Sequence, residues 1–269
     1  TDSKILDHKA IGKETNRMPE DQFKRQLIAF LHDPPCKFSD IRFHESASET
    51  LLRNAVDNWD EESRRPDWVA SAGDRLCLPK LRYIKPEEFS HPFSGEKKTI
   101  SALGELERET GEAQRRVLTE TPSTSQEKLF LMWRFWKNEL ARVRKDSGLW
   151  PADTRLPNHT IWNHMGITAA LSRCEGTEEH RPIQASLLTV QFGPVQDWIE
   201  AARSTKDCWA GSHILSRISA AAMKSLADTY GPTAILSPDL RGQPLYDLAE
   251  FELINKFGRW RETEAGGDP

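Results

Sequence analysis

Apolar residues recur with the period of an α-helix near the start of the chain. Phe23, Leu27 and Leu31 follow one another at intervals of four, which predicts a helix over about 21–33 with one buried stripe. Two prolines follow Asp33 directly. Proline disfavours helical geometry in the residue before it and donates no helical hydrogen bond, so the helix is expected to end there.

The same periodicity predicts further helices along the first two thirds of the chain. They are expected to begin at His44, near Asp67, near residue 101, at Ser125 and after Thr160. Thr160 is a suitable N-cap, and Ile161, His164 and Met165 then fall on the inward face of the last of these helices. We therefore expect His164 to point toward the core.

The helix that begins at Ser125 is apolar on one face and basic on the other. Leu129, Met132, Trp136 and Leu140 form the apolar face. The other face carries six basic residues against only two acidic ones, and the basic residues are Lys128, Arg134, Lys137, Arg142, Arg144 and Lys145. A solvated helix face explains this pattern, and a surface that follows nucleic-acid phosphates is the alternative.

The pattern changes after a polar stretch at 174–183. Residues 186–192 alternate like a β-strand, a helix follows Pro194, a second helical run covers 207–226, and 233–236 reads as another strand. The prediction is an α+β chain, with a mostly helical domain at 1–183 and the beginning of a sheet domain at 184–269. Two strands do not make a stable sheet, so this second domain is expected to be incomplete.

Composition limits the classes of protein that fit. The chain has 269 residues, of which 37% are hydrophobic and 29% charged, and a net charge of −4, which argues against a generally basic nucleic-acid coat. It has no apolar run of about 18 residues, and its first residues lack the apolar core of a signal peptide. Its four cysteines form no CxxC pair, so they are expected to be reduced thiols in the cytoplasm.

Candidate metal chemistry centres on the adjacent pair His32 and Asp33, which we expect in the last turn of the first helix. Together they offer one nitrogen and one oxygen ligand. His44, Asp67 and His164 lie in other predicted helices or helix ends, so a cluster of several ligands is available. The alternatives are a helix-terminal histidine beside a solvated carboxylate, and for His164 a hydrogen bond to a backbone carbonyl.

Five stretches, in this order and spacing, resemble the large, polymerase/cyclase-type subunit of type III-B CRISPR effector complexes, the Cmr complexes, over roughly its N-terminal third. They are FLHDPPCK at 30–37 with His44, DWVAS at 67–71, DTRLPNHTIWNH at 153–164, FGPVQDWI at 192–199 with WAGS at 209–212, and PDLRGQP at 238–244.

The resemblance implies a permuted, mostly helical HD domain that cuts single-stranded DNA with a divalent metal when target RNA is bound. His32, Asp33, His44, Asp67 and His164 match the positions of metal ligands or their close supports. Mixed histidine and aspartate ligands favour Mn, Ni, Co or Fe over the all-oxygen sphere typical of Mg, which remains the alternative. The implied partners are the guide RNA, the target RNA and the other Cmr subunits.

The second domain resembles the first ferredoxin-like palm of the cyclase pair, which in the family makes cyclic oligoadenylate from ATP. The helix start at Gly193 is a candidate phosphate contact, followed by Gly211 and Ser212. A tight turn and a helix–helix contact are the plainer explanations of these residues. Near the metal ligands, Lys37 is a candidate point charge for the substrate phosphate, or simply a surface lysine, and His159 is a candidate for orienting a ligand.

Two departures from the family pattern bear on activity. Asn163 precedes His164 where the family usually has aspartate, and the chain contains no Gly-Gly-Asp-Asp motif. The terminal Gly266-Gly267-Asp268-Pro269 does not replace that motif, so we interpret the chain as part of a longer protein. Three hypotheses follow: an effector subunit with an active nuclease, a catalytically silent scaffold subunit of the same complex, and a free-standing HD phosphohydrolase.

Overall fold

Helices dominate the computed structural model, which describes residues 19–40, 42, 44–57, 64–74, 88–101, 104–119, 122–153, 157–174 and 183–264. The predictions for residues 1–18 and for residues 175–182 of the linker concern positions outside the described residues. In chain order the helices are α1 Pro19–Leu31, α2 His44–Ala55, α3 Arg64–Asp74, α4 Leu106–Val117, α5 Ser125–Ala141, α6 Ile161–Leu171, α7 Val195–Glu200, α8 Thr205–Tyr230, α9 Pro244–Ala249, α10 Phe251–Lys256 and α11 Trp260–Glu264.

The described strands form one small antiparallel hairpin. Strand β1 covers Glu88–Ser90 and β2 covers Lys97–Thr99, with Phe89 opposite Lys98. Phe89 is buried under the helices. Short 3-10 turns lie at Pro35–Phe38, Lys145–Leu149 and Pro232–Ala234.

Helix α5 forms the centre of the core. It begins at the N-cap Thr124, whose side chain accepts a hydrogen bond from the Glu127 backbone N–H, and it packs against α1 and α4. The indole ring of Trp136, fully buried, meets that of Trp162 on α6 edge to face, with centroids 5.6 Å apart. The predicted apolar face is therefore confirmed, and burial of this face holds α1, α4 and α6 around one helix.

The end of α1 differs from the prediction. The helix stops at Leu31, so His32 and Asp33 lie in a bend after the last turn, before the 3-10 turn at Pro35–Phe38. Pro34 is the physical reason, because it disfavours helical geometry in Asp33. The bend directs the two side chains away from the α1 stripe.

The two strands predicted in the last third are not formed. Residues 186–192 run without strand pairing, and Leu187 and Leu188 are 81% and 73% exposed. Alternation alone does not make a strand when no neighbouring strand in the described part of the chain offers hydrogen bonds. At 233–236 the chain instead makes the 3-10 turn Pro232–Ala234, because Gly231, at φ +84°, turns it out of α8.

Residues after α8 pack into the same hydrophobic core as the N-terminal helices. Leu240, Tyr246 and Ile254 are buried in it. Gln26 on α1 donates a hydrogen bond from Nε2 to the Tyr230 carbonyl at 2.8 Å. The domain division at 183/184 remains a prediction, and the described residues on its two sides share this core.

A buried ion pair fixes this contact. Arg134 on α5 donates from Nε and Nη2 to the two carboxylate oxygens of Asp247 on α9, at 2.8 and 2.6 Å. Both side chains are under 5% exposed. The prediction that Arg134 lies on a solvated or phosphate-binding face is therefore wrong, since α9 covers that side of α5.

No helix in the described ranges combines the length and apolarity needed to cross a membrane. The three cysteines in those ranges, Cys36, Cys174 and Cys208, are free.

Removing one member of the buried pair should destabilise the fold strongly. Arg134→Ala leaves the Asp247 carboxylate buried without its partner, and we expect a loss of about 3–5 kcal/mol in the free energy of unfolding, measured by urea denaturation. Arg53→Ala, which breaks the exposed pair with Glu49, is the matched control and should change little. Equal midpoints for the two variants would contradict the role given to the pair.

Candidate metal centre

Three separate helical elements bring two carboxylates and one imidazole together. Asp33 follows the end of α1, Asp67 lies in the first turn of α3, and His164 lies in the first turn of α6. Helix α6 packs against both α1 and α3, so its inward face meets the other two residues. The cluster thus depends on tertiary packing across 131 positions of sequence.

His164 is the shared member of the cluster. Its Nε2 lies 2.9 Å from Oδ1 of Asp67 and 3.3 Å from Oδ2 of Asp33. Asp33 and His164 are each 3% exposed, and Asp67 is partly buried. The prediction that His164 faces inward is confirmed, and its Nε2 faces two carboxylates.

Burial alone would raise the pKa of the Asp33 carboxyl. A hydrogen bond from His164 and the charges of Lys37, His164 and His32 oppose this and hold that pKa well below its usual range. Lys37 makes the closest of these contacts, with Nζ 2.5 Å from Oδ2 of Asp33. Asp33 is therefore a buried anion that the surrounding cations keep ionised.

The other two predicted ligands lie at the edge of this group. Nε2 of His32 is 3.9 Å from Oδ2 of Asp67. His44 begins α2 and is not part of the close group, although Ser48, one turn later on α2, donates a hydrogen bond to the Leu31 carbonyl. Residues four apart share a helix face, so His44 lies on the side of α2 that meets the end of α1.

The remaining candidates near the centre have identifiable contacts. Lys37 pairs with Asp33, as described above. His159 precedes α6, with Nδ1 3.0 Å from Oδ1 of Asn158. Cys36 is buried, and burial raises the pKa of its thiol to about 12, so it does not supply a thiolate ligand.

The predicted nucleotide-binding residues lie apart from this centre, on α7 and α8. Gly193 is exposed before α7, a helix of only six residues that starts after Pro194. A Cβ on Gly211 would come within 3.0 Å of the Trp198 indole nitrogen, so Gly211 allows α7 to approach α8 closely. Ser212 is exposed on α8.

The group fits a divalent cation by its donors. Among the described residues, Asp33, Asp67 and His164 can each offer one ligand atom, and these atoms lie within 4.8 Å of one another. Two carboxylate oxygens and an imidazole nitrogen suit Mn, Ni, Co or Fe. A bound cation would also compensate the buried carboxylate of Asp33 and the partly buried carboxylate of Asp67.

Two supporting contacts were not anticipated from the sequence. Ser71, one turn after Asp67 on α3, contacts Oδ1 of Asp67 from its hydroxyl at 3.4 Å. Asn163, which replaces the usual family aspartate, contacts the Arg241 guanidinium through Oδ1 at 3.4 Å. The first contact could have been predicted, because residues four apart share a helix face. The second could not, because its two residues lie 78 positions apart in the sequence.

Comparison with known proteins finds CRISPR-associated subunits to which this chain is similar. Residues 187–260 match the family "CRISPR-associated protein Cmr2, N-terminal". The CRISPR system Cmr subunit Cmr2 of Pyrococcus furiosus is 26% identical over 83% of this chain and 32% of its own length. The CRISPR system CMR subunit Cmr2 of Saccharolobus solfataricus is 32% identical over 39% of this chain and 10% of its own length.

These matches confirm the resemblance predicted from the sequence. Over the residues that these matches cover, the chain is similar to proteins named as Cmr2 subunits of the CRISPR Cmr system. It spans about a third of the length of the Pyrococcus furiosus relative and a tenth of the Saccharolobus solfataricus one.

Mn²⁺ should stabilise the folded chain if the cluster binds it. At free metal a hundredfold above the dissociation constant, we expect about 2.7 kcal/mol of added stability, seen as a raised melting temperature. Asp67→Asn keeps the shape of the side chain but removes a charged ligand, so the shift should be lost. His91→Ala, at the exposed hairpin, should keep the shift, and an undiminished shift in Asp67→Asn would exclude this metal centre.

Proposed function

We propose that Asp33, Asp67 and His164, with His32 beside them, hold a divalent metal in an HD-type helical domain that cleaves single-stranded DNA. The observation that carries the proposal is the position of the His164 Nε2, within 3.3 Å of two carboxylates that come from distant parts of the chain. A divalent cation would add to the compensation that Lys37 gives the buried Asp33 carboxylate, and the partly exposed Asp67 leaves one ligand within reach of water.

The side chains have distinct tasks in this proposal. A bound divalent metal supplies an acidified water and neutralises charge on the phosphate. Asp33 and Asp67 provide the anionic oxygens, and Ser71 holds the Asp67 carboxylate in position. Lys37, which now compensates Asp33 at 2.5 Å, is free to turn to the substrate phosphate once a cation takes over that compensation.

The family supports a role inside a larger assembly. The similarity to Cmr2 subunits supports the proposal that the chain is a component of a Cmr effector complex with other subunits. Guide RNA, target RNA and single-stranded DNA are the proposed nucleic-acid partners. The net charge of −4 means that binding must rely on local basic sites rather than on a generally basic surface.

The last third is proposed to be the start of a ferredoxin-like palm that takes part in ATP binding. Gly193, Gly211 and Ser212 are its candidate nucleotide contacts. Cyclic oligoadenylate synthesis would need a second palm that this chain does not contain. The support for this proposal is the sequence resemblance of 192–199, 209–212 and 238–244 to such a palm, since the strands predicted at 186–192 and 233–236 are not formed.

A catalytically silent scaffold subunit is the second candidate. Asn163 favours it, because this residue contacts Arg241 and adds no acidic group beside His164. A free-standing HD phosphohydrolase is less consistent with the Cmr2 family match at 187–260.

Cleavage of labelled single-stranded DNA by the full chain with Mn²⁺ tests the nuclease. The double variant His32→Ala, Asp33→Ala should lose activity by about a hundredfold or more, because ligand removal disables the metal. EDTA should have the same effect on the wild-type chain.

Two controls make this test decisive. His91→Ala should cleave like wild type, and Asp33→Asn should repeat the loss while preserving side-chain volume. Melting temperatures of all variants separate unfolding from loss of the site. Equal cleavage by the double variant and wild type would reject the assigned centre, whereas metal binding without any cleavage would favour the scaffold.

A further inference from the structure

The basic face of α5 separates into partnered and unpartnered cations. Four of its six basic residues contact a carboxylate or a carbonyl within the chain; these are Lys128, Arg134, Arg142 and Arg144. Lys145 is exposed to water. Lys137 is partly buried, and no acceptor in the described part of the chain bonds its ammonium.

Lys137 shares one carboxylate with a second cation. Burial and the charge of Arg241 lower the pKa of the Lys137 ammonium, and Asp239 acts in the opposite direction. Asp239 is already engaged by Arg241, whose Nε and Nη2 reach its carboxylate oxygens at 2.9 and 2.7 Å. Two cations with one anion leave a positive charge beside a lysine that lacks hydrogen-bond acceptors.

The fold holds these groups in place rather than leaving them on a loose surface. The 238–244 loop is anchored by Leu240, which is 2% exposed in the core, and it turns at Gly242 with φ +75°. The stem of Lys137 lies over Gly148, where an added Cβ would be 3.2 Å from Cε. The ammonium therefore has a defined position, and it has one carboxylate nearby but no hydrogen-bond acceptor of its own in the described part of the chain, which favours binding of an anion.

This cationic pair adjoins the candidate metal centre. The Nη2 of Arg241 lies 3.4 Å from Oδ1 of Asn163, and Asn163 directly precedes His164 on α6. The cationic pair and the metal centre therefore meet the same first turn of α6, Arg241 at the exposed Asn163 and the carboxylates at the buried His164.

We propose that Lys137 and Arg241 bind a backbone phosphate of the single-stranded nucleic acid that reaches the metal centre. This inference rests on the proposed nuclease function for the identity of the strand, and on the α5 and 238–244 contacts for the site itself. A phosphodiester supplies the acceptor oxygens and the negative charge that the ammonium lacks. Arg241, already oriented by Asp239, presents the second cation.

Binding of a fluorescent single-stranded oligodeoxynucleotide to the full chain in EDTA tests the site without metal or cleavage. Lys137→Met should weaken binding about tenfold and make the salt dependence shallower, by about 0.7 in the slope of log affinity against log salt. Lys145→Met, at an exposed lysine in the 3-10 turn that follows α5, is the matched control and should bind like wild type. Equal affinities for the two variants would overturn the proposal.

Two further variants exclude a purely structural role. Gly148→Ala keeps both charges but displaces the lysine stem, so it should weaken oligonucleotide binding in the same direction. Lys137→Met should melt at or above the wild-type temperature, because it removes a partly buried cation without an internal partner. A lower melting temperature would show that the ammonium has a structural partner and would overturn the proposal.

Two comparisons separate this inference from its competitors. If inorganic phosphate raises the melting temperature of wild type but not of Lys137→Met, while oligonucleotide binding is equal in both, the site holds a small phosphate and the strand proposal fails. If Lys137→Met weakens binding while the His32→Ala, Asp33→Ala variant cleaves normally, the assigned metal centre fails and the phosphate site stands.

Discussion

The structure depends on placing two carboxylates, one buried and one partly buried, against the same imidazole. Neither Asp33 nor Asp67 can be enclosed as an anion without compensation, and His164, Lys37 and His32 surround them. These groups come from the ends of different helices, so the helices must meet at this point. The packing of α6 against α1 and α3 therefore also brings together the charges that balance one another in the centre.

The local features of the chain were predictable from the sequence, and the pairing of distant charges was not. The Thr160 cap and the apolar stripe of α6 correctly placed His164 toward the core, since capping and periodicity are local properties. The partner of Arg134 was not predictable, because Asp247 lies 113 positions away and nothing in the pattern of α5 distinguishes a buried guanidinium from a solvated one. The six basic residues of that face look alike in sequence, and only tertiary structure separates Lys137 from the others.

The last third shows why alternation is a weaker signal than helical periodicity. A helix satisfies its backbone hydrogen bonds within its own segment, so α8 forms with little support, whereas a strand needs a neighbour. Residues 186–192 have no such neighbour among the described residues, and the chain there forms no regular element. The family match nevertheless covers 187–260, which shows that sequence similarity persists in this segment although it lacks the predicted strand pairing.

The exposed leucines at 187 and 188 carry a practical consequence. A segment without strand pairing that exposes apolar side chains can add another chain along its backbone, as the edge of a sheet does. We therefore expect association of this polypeptide with itself to depend on a few residues in the last third of its sequence.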